Sequence, residues 1–420
     1  MTDDEEIHGT DASGGTSTTS ASGVADGGGV TVSSAGGGDE GERKEERNER
    51  RKRAVRGAKR VLARPSAVVS LGERLSQLAE RAATLYDLSS PVDTYGDGVV
   101  ADLERRVAES LGKEDAAFFP TGTMAQQVTL RCWAERTGNG RVVLHPLSHP
   151  ELFESDAFRR VSGLRPVRAT GAPRHPTAEE IRRLPESFGA LMLELPLRDA
   201  GFLLPSWEEL VEVTEAARER DAVVHFDGAR LWESTTHFGR PLNEIAALAD
   251  TVYVSFYKSL DGLSGAAVAG PRSLIEETRL WRHRYGGNVF QQFPAALAAL
   301  AGLDDELPRL PEYVAHARLV AGAMAEGFRD AGLAWFTVHP EVPHTHQFQV
   351  WLPFSAEALG DAVMRQAEES GIALFPRPWW EPGLPPGVAV TEVTVSAAGL
   401  DWTATDVRAA VRDFVNSIDR

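Results

Sequence analysis

The chain has 420 residues, 42% of them apolar, and 61 Asp and Glu against 44 Lys and Arg give it a net charge of −17. Such an acidic surface repels phosphate backbones and argues against a nucleic-acid partner, and no apolar run approaches the roughly 18 residues of a membrane span. One cysteine, Cys132, leaves no internal disulfide framework and no multi-cysteine metal site. The acidic N-terminus has no apolar stretch of the kind a secretory leader needs, so the expectation is a soluble, cytoplasmic protein.

Residues 1 to about 40 are nearly all Gly, Ser, Thr, Ala, Asp and Glu. They have almost nothing to bury and are predicted to stay disordered. Residues 39–64 are a mixed-charge run, basic toward its end. It reads as a nucleic-acid or partner arm or, more plainly, as a solvated, intermittently helical linker. Residues 1–65 are therefore set aside as a tail. From residue 66 onward strand-like and helix-like stretches alternate, enough for two domains: a large one over 66–310 and a smaller α+β one over 311–420.

Three stretches of the large domain carry chemistry. In AAFFPTGTMAQQ, Gly122 and Thr123 stand before a helix predicted to begin near Met124. Small residues at a helix N-terminus leave backbone N–H groups for a phosphate, although Thr121 and its neighbours would serve equally as a plain helix cap. In DAVVHFDGAR, a buried strand over 222–226 ends in Asp227, where α/β sheets place ligand-binding groups. Thirty-one residues later, TVYVSFYKSL delivers Lys258 at the end of the next strand. Only five lysines occur, three of them in the charged run. A sequence that uses arginine nearly everywhere keeps lysine where an amine must condense with a carbonyl; the alternative is a snorkelling edge residue. The other globular lysine, Lys113, lies in a polar GKEDA stretch that reads as exposed. A phosphate cradle, then a carboxylate for a ring nitrogen, then an amine for an aldehyde is the order of a pyridoxal-phosphate (PLP) site.

These stretches resemble the L-threonine aldolase and β-eliminating lyase family of PLP enzymes. The resemblance covers about residues 85–415 and rests on DTYGDG at 93–98, PTGTMA at 120–125, HFDGARLWES at 225–234, SFYKSL at 255–260 and RYGGNVFQQ at 284–292. It implies an α/β chain of fold-type I PLP-dependent transferase architecture, with a mostly parallel sheet in the large domain plus the smaller C-terminal α+β domain. It also implies that Lys258 forms the Schiff base and that Asp227 pairs with the pyridine nitrogen. Arg230 would hold cofactor and substrate, Gly122, Thr123 and Ser255 would contact the phosphate, and His149 would stack on the ring and act as a base, with Glu154 nearby. Tyr95 matches a tyrosine that reaches a neighbouring subunit's site, implying a homodimer or homotetramer. The reaction implied is cleavage of a β-hydroxy amino acid to glycine and an aldehyde. Alternatives are another reaction of the same cofactor (β-elimination, transaldol transfer or transamination) or a non-catalytic protein of this fold.

Departures from the family bear on the substrate. Leu197, in ELPLRDAG, stands where the family has the histidine of E-N-T-H, and Phe290 replaces an arginine near the phosphate, for which His283 or Arg284 could substitute. VVSLGERLSQ replaces the N-terminal R-S-D-T. Glu392, in VAVTEVTVS, stands at or beside the arginine that clamps the substrate carboxylate. A bidentate Arg–carboxylate pair is worth about 2–3 kcal/mol, and a glutamate would repel the carboxylate instead. Arg377 is the nearest arginine before it and is the expected replacement. His339, His344 and His346 cluster in VHPEVPHTHQ; proline punctuation and the lack of an Asp or Cys partner favour a surface or cleft loop over a zinc site, and no metal is expected.

Overall fold

The computed structural model describes residues 38–65 and 68–418; the segment up to residue 37, for which the sequence predicts disorder, lies outside them. At its centre is a sheet of seven strands: β2 (Asp115–Phe119), β3 (Arg141–Val143), β4 (Arg165–Val167), β5 (Ala190–Glu194), β6 (Val223–Gly228), β7 (Thr251–Ser255) and β8 (Ala266–Gly270), following the short β1 (Arg60–Val61). Their order is β2-β8-β7-β6-β5-β3-β4. From β7 to β4 every pairing is parallel, and β8 alone runs against both its neighbours. Every residue of β5, β7 and β8 is buried, because helices cover both faces and leave no solvated side to alternate with.

A second sheet is antiparallel, in the order β12-β10-β9, with β9 (Thr337–His339), β10 (Gln347–Leu352) and β12 (Ala389–Thr394); β11 (Ile372–Ala373) lies apart from it. Two main apolar cores correspond to the two sheets, one drawn from residues 82–313 and the other from 55–68 and 317–418, with two smaller clusters also on the large sheet. The helix Leu310–Asp330 belongs to both: Leu310 and Tyr313 pack in the first core, and Ala317 to Phe328 in the second.

The reading of 1–65 as a tail fails over its last part. Residues Gly38–Gly57 form a helix, and β1 pairs in parallel with β11. The arginines of this arm are used within the chain: Arg50 pairs with Glu368 at 2.9 Å, Arg47 with Glu357 and Asp361, and Arg51 donates to the Pro376 carbonyl at 2.6 Å. Exposed ion pairs are each worth under about 1 kcal/mol. The stronger hold is apolar. Val55, Ala58, Val61 and Leu62 are buried in the second core, and each larger side chain contributes roughly 1.5–3 kcal/mol. Averaged over the run, those few apolar residues are hidden by charge.

Candidate functional site

Asp227 lies inside β6 rather than beyond its end, directly across from Glu194 on β5. Both carboxylates are buried. Burial pushes each well above the usual carboxylate range, and for Glu194 the neighbouring Asp227 adds to it. Asp227 Oδ1 accepts the Ala229 N–H at 3.2 Å, and among the described residues no cationic side chain is within ion-pair distance of it. A buried carboxylate without a cation is costly; the protonated nitrogen of a pyridine ring is the kind of group it lacks. Glu194 spends its oxygens on two backbone N–H groups, those of His149 at 2.7 Å and Arg198 at 3.1 Å. Sequence reasoning missed it, although ALMLE has the same apolar-strand-then-acid pattern that singled out Asp227.

His149 opens a five-residue helix, and its Nδ1 is 3.2 Å from Oε1 of the buried Glu154. With a carboxylate accepting there, Nδ1 carries the proton and Nε2 is the free base.

The helix over Gly122–Thr137 starts two residues earlier than expected, capped by Thr121, whose Oγ1 accepts the Met124 N–H at 3.3 Å. Gly122 has a steric reason: a Cβ there would run into the Tyr253 hydroxyl. Ser255, at the end of β7, is fully buried with its Oγ unpaired, as is Gln126 Nε2 on the capped helix. A helix N-terminus kept open by glycine, with a buried hydroxyl lacking a partner, fits a phosphate. On these grounds the residues present suit PLP.

Lys258 follows Ser255 by three residues, with its Nζ 4.6 Å from the Tyr257 ring centre. It lines a cavity of about 480 Å3 together with Arg230, Arg377 and His346. Arg64, Glu73 and Arg74 of the segment after β1 form another wall, so the arm leads directly into the site. Asp227 and His149 do not line this cavity. Arg230, buried and 5.5 Å above the Phe202 ring, belongs to both groups, since its charge also acts on Asp227.

Other expectations are corrected. Lys113 is not exposed: its Nζ donates to the Ala249 carbonyl at 2.6 Å, and burial pushes its pKa down. Of the surface and cleft alternatives for its loop, His346 takes the cleft: it lines the cavity and is buried against Glu233 at 2.6 Å. His339 and His344 reach the loop after β5, where His339 Nε2 donates to the Ala200 carbonyl and His344 Nδ1 accepts the Leu204 N–H. His175 and His237 hold the Leu203 and Pro205 carbonyls of the same loop. Burial pushes His175 and His344 down to about 4, so both are neutral at neutral pH. Leu197 is buried in this loop, bonded to the Leu203 backbone. Tyr95 is not brought to the cavity. It is 53% exposed and packs edge-on against Phe290, itself 55% exposed, at 5.4 Å between ring centres. Arg284 lies over the Trp281 ring at 4.4 Å.

The sequence model of the beta-eliminating lyase family matches residues 89–344. The low specificity L-threonine aldolase of Escherichia coli strain K12 is 32% identical over 254 residues, which is 58% of this chain and 74% of that protein. A solved structure from Listeria monocytogenes, described as a candidate L-allo-threonine aldolase, is 32% identical with a TM-score of 0.78, covering 89% of this chain and all of that one. One from Exiguobacterium, described as a candidate aromatic amino acid beta-eliminating lyase or threonine aldolase, is 30% identical at the same TM-score, covering 88% of this chain and all of that one.

Proposed function

The chain belongs to the beta-eliminating lyase family, and from that premise we propose that, as a PLP-dependent lyase of the threonine-aldolase type, it splits the Cα–Cβ bond of a β-hydroxy amino acid into glycine and an aldehyde. Bound PLP supplies the electron sink for the pair left on Cα when that bond breaks. Lys258 would hold the cofactor through its aldehyde, and Asp227 would keep the ring nitrogen protonated. Gly122, Thr123 and Ser255 receive the phosphate. His149, oriented through Nδ1 by Glu154, takes the substrate hydroxyl proton at Nε2; Leu197 has no group to share that task. Arg230, on the cavity wall beside Lys258, takes the carboxylate end, and Arg377 lines the same wall. The observation that carries this reading is the buried Asp227, with no cationic side chain within ion-pair distance among the described residues, one strand from the Lys258 loop.

Incubation with threonine, allo-threonine and phenylserine should release glycine and the matching aldehyde in equal amounts. Ammonia and a keto acid in their place would move the assignment to β-elimination, and no glycine from any of the three would remove the aldolase reading. The exposed Tyr95–Phe290 pair supports a homo-oligomer, dimer or tetramer, in which Tyr95 reaches a second copy's site. Sedimentation should show the assembly at micromolar concentration, dissociating in a Tyr95→Ala, Phe290→Ala double variant; a monomeric wild type would end that idea. No helix among the described residues is long and apolar enough to cross a membrane, and the cytoplasm is the compartment that we propose.

A further inference from the structure

Glu392 stands on β12, at or beside the position where the resemblance places a carboxylate-binding arginine, yet its charge is already committed. Arg198 Nε lies 2.6 Å from Oε1, and Arg377 Nη1 lies 3.9 Å from Oε2. Burial acts to push the Glu392 carboxyl up, but these two guanidiniums hold it below the usual range. It therefore stays an anion and a fixed anchor.

Arg198 comes from the opposite side, on the loop after β5. Its backbone N–H is bonded to Glu194, and four histidines hold the next residues of that loop. Its side chain is only 13% exposed, and among the described residues its Nη atoms make no hydrogen bond. The same is true of the guanidinium of Arg230, which is buried, lines the Lys258 cavity and is close enough to be acted on by the Arg198 charge. Two buried guanidiniums with open donors, one of them lacking any carboxylate within ion-pair distance, call for an anion from outside.

We propose that the carboxylate clamp is inverted in this chain: the acid stands on β12 and the arginine on the opposing loop. Arg198, fixed at Nε by Glu392, presents its Nη donors with Arg230 to the α-carboxylate of the substrate. Glu392 is a positioning residue and touches no substrate. The proposal rests on the reading of the site as an amino-acid lyase.

The test titrates holoenzyme with glycine and, separately, with methylamine, an amine without a carboxylate, reading the shift of the visible cofactor band. Arg198→Ala should weaken glycine about tenfold to a hundredfold while leaving methylamine unchanged, as expected for loss of charge-assisted hydrogen bonds to one group. Arg198→Lys should recover part of the loss. Glu392→Gln should raise KM for a β-hydroxy amino acid with little change in kcat, and Glu392→Asp should restore it in part. Unchanged glycine binding in Arg198→Ala, or equal weakening of glycine and methylamine, overturns the clamp. A colourless wild type overturns the cofactor reading with it. A wild type that binds glycine through Arg198 but cleaves no β-hydroxy amino acid leaves the clamp standing and sinks the aldolase assignment.

Discussion

Replacing Lys258 by alanine is expected to abolish the visible cofactor band and to lower turnover by a factor on the order of 10²–10⁴, the range a reacting acid–base group commands. Lys113, the only other lysine after residue 65, spends its Nζ on the Ala249 carbonyl, at the far end of β7 from Ser255. The variant should still bind PLP without a covalent bond, because the phosphate cradle at Gly122 and the Asp227 carboxylate remain. Dialysed protein should therefore keep the absorbance of a free aldehyde, which added amino acid shifts by condensing with it, without restoring turnover. A Lys258→Ala variant that retains the wild-type band would remove Lys258 from the centre of the site.

Asp227→Asn should act in opposite directions on catalysis and on the empty protein. Asparagine keeps the shape but cannot hold a proton on the ring nitrogen, and we expect kcat to fall about 10²- to 10³-fold, with the cofactor still bound. Without cofactor, the wild type carries two facing carboxylates, Asp227 and Glu194, both held above the usual carboxylate range by burial. For an acid whose folded pKa is raised, the folded state resists ionisation. The penalty is absent below the ordinary carboxylate pKa and grows as pH rises through the unfolded value toward the folded one. The cofactor-free variant should thus melt higher than cofactor-free wild type at pH 8, by roughly 1–3 kcal/mol at about 1.4 kcal/mol per pKa unit, and nearly alike at pH 4. Calorimetry at the two pH values checks the sign. A variant less stable than wild type at pH 8 would mean that Asp227 is compensated by a charge other than the cofactor.

The residues legible in the sequence are those whose signal is local. Lys258 stood out because the globular part uses so few lysines, and Asp227 because an apolar strand ends on it. Gly122 stood out because a glycine before a helix leaves donors open. The features that were not legible depend on register or on distance along the chain. Nothing near Glu392 in sequence announces Arg198, because the pair forms only when the loop after β5 meets β12. An acid at that position read as repulsion until its partner came into view. The antiparallel course of β8 leaves no mark on an apolar strand buried on both faces. The docked arm was lost in a composition average, since Val55, Val61 and Leu62 are a small minority among its charges.

That arm also has a consequence for biosynthesis. Arg50 and Glu368 are 318 positions apart, and β1 has no strand to join until β11 has left the ribosome. At about 5–20 residues per second, the arm waits some tens of seconds with Val55, Val61 and Leu62 exposed to solvent. An early segment is thus among the last to find its place, and the second core closes only once residues near 418 have been translated. A chaperone that shields the nascent N-terminus would act on this interval, as would a fusion partner placed ahead of Gly38.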